Sequence, residues 1–309
     1  MRIVFAGTPD FACPSLAAIK AAGHEVVQVI TQPDRPCGRG QRLMPPAVKE
    51  HAACLGLDPL QPERIDTPAL RRLLTALSPE AVVVVAFGQK IPPWLLTLAP
   101  LGCLNVHASL LPRYRGAAPI QRAIMNGEVE TGVTIMLLDE GWDTGPLLCQ
   151  RAVRIEPQDD AGSLHDRLAA VGAELLVQAL EGLAAGTLIP VPQDETRSSR
   201  APKLRPEEMR LAWHEPATKL HNLVRALAPS PLVETFHAER RLQVRRTQAV
   251  VCNAAQPPGT VLSAGKDGIL VRAGEDALRL LEVKPANGRL MHAAEYARGH
   301  RLMPGTRLG

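Results

Sequence analysis

The sequence predicts an α/β chain: a mostly parallel, Rossmann-like sheet in its N-terminal part and a small β-rich unit after it. Three observations carry that reading. The chain opens strand–helix–strand, over Arg2–Ala6, Phe11–Ala22 and Glu25–Thr31. Ala81–Phe87 (AVVVVAF) is apolar without alternation, which suits a strand covered on both faces. Beyond a polar, proline-rich stretch at 190–206, short β-like runs alternate with glycine turns.

Composition bounds the function classes. The 309 residues allow one large or two ordinary domains, and 46% hydrophobic with 21% charged residues suits a soluble globular chain. Aromatics are 3%, too few for the base-stacking platforms of single-strand binders. No run approaches the roughly 18 apolar residues of a membrane helix. MRIVFAGTPDF enters a strand directly, without the apolar core of a signal peptide. The expectation is a cytoplasmic protein with no membrane partner. Cys13, Cys37, Cys54, Cys103, Cys149 and Cys252 form no C-x-x-C pair, so neither a metal site nor a disulfide framework is expected.

The net charge of +4 is unevenly spread. Through Arg205 there are 20 Lys and Arg against 21 Asp and Glu; from Pro206 onward there are 15 against 10. The excess in the second part fits a polyanionic partner. It fits an arginine-rich solvated surface equally well. Nothing suggests a coiled coil or a large apolar patch, so a monomer is expected.

Taken in order, the first strand runs into the turn Gly7-Thr8-Pro9-Asp10. The helix of Phe11–Ala22 has Phe11, Leu16 and Ile19 at helical spacing and stops at Gly23. One glycine stands where a dinucleotide fingerprint needs three, and no acid closes the second strand, so NAD or FAD is not expected. Gln32–Pro46 holds four Pro and two Gly, which predict a loop without regular structure, mobile when free. Its Arg35, Arg39 and Arg42 suit phosphate or carboxylate contacts, or simply a solvated surface.

Ala47–Leu57 and Thr67–Leu77 read as helices, the second with Pro68 in its first turn. After Ala81–Phe87 come a turn and short helix in Gly88–Leu96, then a strand at Leu104–Val106. Ala118–Asn126 looks helical, and Gly132–Leu138 and Leu147–Ile155 look like strands. Ser163–Ala185 is amphipathic, with Leu164, Leu168, Leu175, Leu176 and Ala179 on one face. The proline-rich stretch 190–206 reads as a linker. Past it, Glu215–Leu227 is a predicted helix. Leu242–Val251, Gly259–Leu262, Gly268–Val271 and Ala277–Val283 are predicted strands of a small barrel or sandwich.

The chemistry concentrates in Cys103–Gly116 (CLNVHASLLPRYRG). Period two puts Asn105 and His107 on one face of a strand end, where open α/β sheets bind ligands. Asn offers a neutral donor for a developing oxyanion. His is the side chain suited to proton transfer near neutrality. Asp143, in a glycine-bounded loop after the next strand, is the acid that could orient the imidazole or order a water. No G-x-S-x-G nucleophile motif accompanies them, so the trio suits direct transfer between two bound substrates. Singly, each has a structural reading: a satisfied histidine, a turn-forming Asn, an Asp cap. The three together at strand ends carry the catalytic one.

Two stretches carry a family resemblance. NVHASLLPRYRG (Asn105–Gly116) is similar to the N-x-H-x-S-L-L-P signature of the folate-dependent formyltransferases, and Asp139–Gly145 (DEGWDTG) to their second signature. FAGTPDFA, TQPDRPCGRGQRLMPP and the terminal RGHRLMPGT extend the likeness over nearly the whole chain. The resemblance implies transfer of a formyl group from 10-formyltetrahydrofolate to the methionyl amine of initiator methionyl-tRNA. Asn105, His107 and Asp143 would be the catalytic trio. Ser109, Leu110, Leu111 and Pro112 would line the folate site, with Phe87, Gly88, Gln89, Glu140 and Gly141 at the pterin. Arg35, Arg39 and Arg42 would meet the tRNA. The implied domains are a formyltransferase domain at 1–189, a linker at 190–206 and an OB-like, tRNA-binding barrel at 207–309. Phe87 and Arg200 stand where the family often has Tyr.

Overall fold

The computed structural model describes residues 1–38 and 40–309. The chain forms two compact units: Met1–Gly116, Glu130–Arg154 and His165–Ala201 make the first; Ala117–Val129, Ile155–Leu164 and Pro202–Gly309 make the second. The second unit thus takes two segments from inside the first 200 residues, a division that sequence order hides. No helix among the described residues is long and apolar enough to cross a membrane.

In chain order the elements begin β1 (Arg2–Gly7), α1 (Cys13–Ala21), β2 (Glu25–Ile30), β3 (Arg35–Cys37) and β4 (Arg42–Met44). There follow α2 (Ala47–Cys54), β5 (Pro59–Leu60), α3 (Pro68–Ala76), β6 (Ala81–Val85), α4 (Pro93–Leu96) and β7 (Cys103–His107). Next are α5 (Pro119–Met125), β8 (Glu130–Leu137), β9 (Leu147–Arg154) and α6 (Ala161–Ala184). The first unit's main sheet runs β5-β2-β1-β6-β7-β8-β9. The β5-to-β7 part is parallel, and β8 and β9 are antiparallel. The expected mostly parallel sheet is present, with an antiparallel edge. Every residue of β6 and β7 is buried, as strands covered on both faces require. The strand order reverses between β1 and β6, which is the position where such sheets open a crevice.

Local signals explain the helices. Thr67 caps α3, its hydroxyl accepting from the Leu70 N–H at 3.2 Å, and Pro68 fills a first-turn position that needs no donor. The Phe11–Ala22 stretch divides into a 3-10 turn at Asp10–Ala12 and then α1, whose first turn holds Pro14.

Gln32–Pro46 corrects an expectation. Instead of lacking regular structure, it contains an antiparallel hairpin, with Arg35 opposite Met44 and Cys37 opposite Arg42. Among the described residues, β3 and β4 pair only with each other, and such an edge strand tolerates Pro36. Gly38 and Gln41 turn the chain with positive φ.

The second unit continues with α7 (Ala217–Ala226), β10 (Val233–His237), β11 (Arg240–Val250), β12 (Val261–Gly265) and β13 (Gly268–Arg272). It ends with β14 (Ala277–Pro285), β15 (Met291–His292) and α8 (Ala293–Gly299). Its antiparallel sheet runs β10-β11-β14-β13-β12, and β15 pairs with β14. Leu220, Val224, Val244, Leu280, Tyr296 and Trp213 share its buried core. Burying each such side chain is worth about 1.5–3 kcal/mol. Trp213 can be buried because its indole N–H donates to Thr235 Oγ1 at 3.0 Å. β10, β15 and α8 were not foreseen. β10 follows Pro229 and Pro231, and α8 spans only seven residues.

Candidate active site

The site lies in the first unit and starts from β7. Cys103, Asn105 and His107 share one face by strand periodicity. Cys103 packs into the core with Val4, Val82, Val84 and Phe87. Burial pushes its thiol up to about 12, so it is neutral at working pH and cannot act as a nucleophile. Asn105 and His107 continue that face to the strand's carboxyl end, 9% and 6% exposed. The Asn105 amide has no side-chain hydrogen-bond partner among the described residues, which leaves its donors for a ligand.

The geometry around His107 distinguishes its two ring nitrogens. Nε2 lies 3.0 Å from the carbonyl oxygen of Tyr114. A carbonyl only accepts, so Nε2 carries a proton and donates it. Nδ1 faces the Asp143 carboxylate, 3.7 Å from Oδ2. That separation is beyond a direct hydrogen bond, so Nδ1 is free to meet a substrate atom. Tyr114 adopts a left-handed φ of 60°, which turns its carbonyl to the ring.

Asp143 reaches the site by a different device. It belongs to the loop after β8, and its own φ is 54°. Its Oδ2 accepts the Gly116 N–H at 2.8 Å. Asp139 in the same motif is spent inside the loop, accepting from the Gly141 N–H at 3.0 Å and the Thr144 hydroxyl at 2.8 Å. Gly145 must be glycine: a Cβ there would lie 1.9 Å from the Leu137 carbonyl oxygen. So the three expected catalytic residues come together, two on a strand and one on a tied loop.

The other expected site residues have varied situations. Ser109 is fully buried, and its hydroxyl donates to the Arg113 carbonyl at 2.6 Å, so it shapes the turn. Leu111 is buried and Leu110 half-buried, with Pro112 after them. Phe87 is in the core, and its carbonyl accepts from the Thr8 hydroxyl at 2.8 Å at the strand-order reversal. Gly88 follows with φ 87°. The Gln89 amide holds a neighbouring loop, accepting from Ile65 N–H at 2.8 Å and donating to the Glu63 carbonyl at 3.3 Å. Glu140 and Gly141 are exposed in the Asp143 loop, next to Trp142 at 74% exposure.

Arg35 and Arg42 are exposed on one face of the β3–β4 hairpin. Arg35 pairs with Glu63 at 2.9 Å, and Arg42 has no ion-pair partner among the described residues. Arg39 lies outside the described residues.

Sequence reasoning missed the supports. Thr134 on β8 donates to the Ser109 carbonyl at 2.6 Å and accepts from Leu111 N–H and Gln150 Nε2. Thr134 lies opposite His107 across the β7–β8 pair, a register the sequence does not disclose. Arg115 and Gln193, which meet across 78 positions, carried no sequence signal either.

Comparison with known proteins shows the family. Residues 1–180 match the formyl transferase family, and residues 203–301 match its C-terminal domain. The chain is 46% identical to a methionyl-tRNA formyltransferase of Trichlorobacter lovleyi, over 99% of this chain and 96% of that one. It is 49% identical to the protein of the same name from Halorhodospira halophila, over 98% of each. Among solved structures it resembles HypX from Aquifex aeolicus in complex with tetrahydrofolic acid, with a TM-score of 0.65 and 19% identity. That match covers 96% of this chain and 47% of the other, so this chain spans about half of HypX.

Proposed function

This chain belongs to the formyl transferase family, and from that premise we propose that it formylates the free amino group of initiator methionyl-tRNA, using 10-formyltetrahydrofolate as donor. The observation that carries the chemistry is the buried Asn105–His107 face with the Asp143 carboxylate 3.7 Å from His107 Nδ1. The near-full-length likeness to methionyl-tRNA formyltransferases supports the acceptor. A protein of similar fold holding tetrahydrofolic acid supports the donor.

The mechanism follows from the groups present. A neutral methionyl amine attacks the formyl carbon, and the carbonyl oxygen becomes an oxyanion. The Asn105 amide N–H and a protonated His107 Nδ1 donate to it. Asp143 faces that same nitrogen, so it balances the imidazolium and takes up the amine proton through water. Collapse breaks the bond from the formyl carbon to N10, and N10 receives the proton that the amine lost. No side chain is acylated.

Ser109–Pro112, Phe87–Gln89, Glu140 and Gly141 are assigned to the folate, Ser109 and Gln89 acting through the turns they hold. Arg35, Arg39 and Arg42 are assigned to tRNA phosphates, together with the basic excess after Pro206. The C-terminal part, 207–309, is proposed to be an OB-like barrel. Support comes from the terminal residues: Val261 N–H donates to the Thr306 carbonyl beside β12, and Gly309 N–H to the Phe236 carbonyl on β10. Those bonds join the two edge strands of the sheet.

The test is a formyl-transfer assay with 10-formyltetrahydrofolate and methionine-charged initiator tRNA. The expected result is formylmethionyl-tRNA formed in proportion to folate consumed. Folate turnover with no formylated tRNA would instead assign a different amine acceptor or water.

A further inference from the structure

We infer that Gln193 is a positioning residue for Asp143, and that the segment Val191–Ala201 is a strap that sets both partners of His107. The inference rests on the formyl-transfer reading above. The sequence presents this segment as a proline-rich linker, yet it is bonded repeatedly to the catalytic elements of the first unit. Val191 and Leu147 exchange backbone hydrogen bonds, each 2.8 Å, at the start of β9. Further on, Arg115 N–H donates to the Ser199 carbonyl at 2.9 Å, and Ala201 N–H to the Arg115 carbonyl at 2.7 Å. The Ser199 hydroxyl accepts the Tyr114 N–H at 2.9 Å. These bonds pin the turn whose Tyr114 carbonyl accepts the hydrogen bond from His107 Nε2–H and whose Gly116 N–H donates to Asp143.

Gln193 acts on the backbone of the loop that carries this carboxylate. Its Nε2 donates to the carbonyls of Asp143, at 2.8 Å, and Gly145, at 2.7 Å. Its Oε1 accepts from Arg115 Nε at 3.1 Å and Nη2 at 2.7 Å. Arg115 is in turn held by both carboxylate oxygens of Glu195, at 2.8 and 2.7 Å. Two carbonyls accept and a guanidinium donates, so the amide orientation is chemically fixed. Glutamine is therefore specified at this position. A glutamate of the same shape would keep the Arg115 contact but set an oxygen against two carbonyl oxygens. Asp143 itself sits at a positive φ that a non-glycine residue adopts only when its surroundings hold it. The Gln193 bonds fall on that residue's own carbonyl and two residues onward. A displacement of about 1 Å in a reacting group can cost about 100-fold in rate.

The experiment compares Gln193→Glu, Gln193→Ala and Asp143→Asn with the double variant Gln193→Glu/Asp143→Asn in single-turnover formyl transfer. Circular dichroism melting reports whether each folds. The expected result is a rate loss of about 10- to 100-fold for both Gln193 variants, with KM for folate and for tRNA within about threefold of wild type. In the Asp143→Asn background, Gln193→Glu should cost less than about threefold more, since the carboxylate it positions is gone. Additive losses, or a wild-type rate in Gln193→Glu, would overturn the inference. If the wild-type protein transfers no formyl group to tRNA, the functional reading fails first and this one with it; a transferring wild type with additive variants fails this one alone.

Discussion

β7 and the loop at Asp139–Gly145 together carry the three proposed catalytic residues, and they are built on opposite principles. β7 is held by backbone ladders to β6 and β8 on both sides, so Asn105 and His107 inherit their places from sheet register. Among the described residues, the loop joins no ladder. Its shape is held by side chains: Asp139 and Thr144 from within, Gln193 from outside, and Gly116 through the carboxylate. A strand therefore fixes its residues at no cost in sequence far away, whereas the loop depends on a residue 50 positions on.

The largest expected effect tests the strand side. His107→Ala removes the proton-carrying ring but leaves the ladder, so single-turnover transfer should fall about 10³-fold. The melting temperature should fall by only a few degrees, the cost of the lost Tyr114 bond and a small cavity, because the backbone bonds of β7 remain. A comparable loss in melting temperature would show that the ring, not the ladder, organises the strand end.

Asp143→Asn comes next. Asparagine keeps an acceptor for the Gly116 N–H but loses the charge facing Nδ1. Transfer should fall about 100-fold with an unchanged melting curve. Gly116→Ala should then affect stability as much as rate. A Cβ on Gly116 would lie 2.6 Å from the Ala201 carbonyl oxygen, at a φ of 126°. The cost should be about 2 kcal/mol, seen as a melting temperature lower by roughly 5 °C. An unchanged melting curve would mean that Val191–Ala201 is only loosely attached.

The same contrast explains what the sequence disclosed. The unbroken apolar run of β6 and the i, i+2 spacing of Asn105 and His107 are periodic signals, so the sheet and two of the three proposed catalytic groups were legible. Asp143 was legible only through its motif, since one Asp among Gly and Thr reads equally as a cap. Arg115 and Gln193 were not legible. They meet across 78 positions, and nothing local to either marks a fixed amide. The β3–β4 hairpin was hidden for a related reason: its Pro and Gly content speaks for a loop, while pairing across Pro36 is a tertiary fact.

The smallest effect lies on that hairpin and separates two arginines that the sequence treats alike. The ladder places Arg35 and Arg42 on one face. Arg35 is committed to Glu63, while Arg42 has no such partner among the described residues. An exposed pair of this kind is weak, but Glu63 offsets part of the charge that Arg35 presents, so Arg35 contributes less to polyanion binding. Arg42→Ala should therefore raise KM for tRNA by about tenfold and lower the salt slope of binding by about one, with KM for folate unchanged. Arg35→Ala should raise KM by less than about threefold. Glu63→Ala, which releases Arg35, should lower KM for tRNA if the pair competes with the phosphate. A rise in KM on Glu63→Ala would mean that the ion pair instead orients the hairpin, and that Arg35 serves the site through its position rather than its charge.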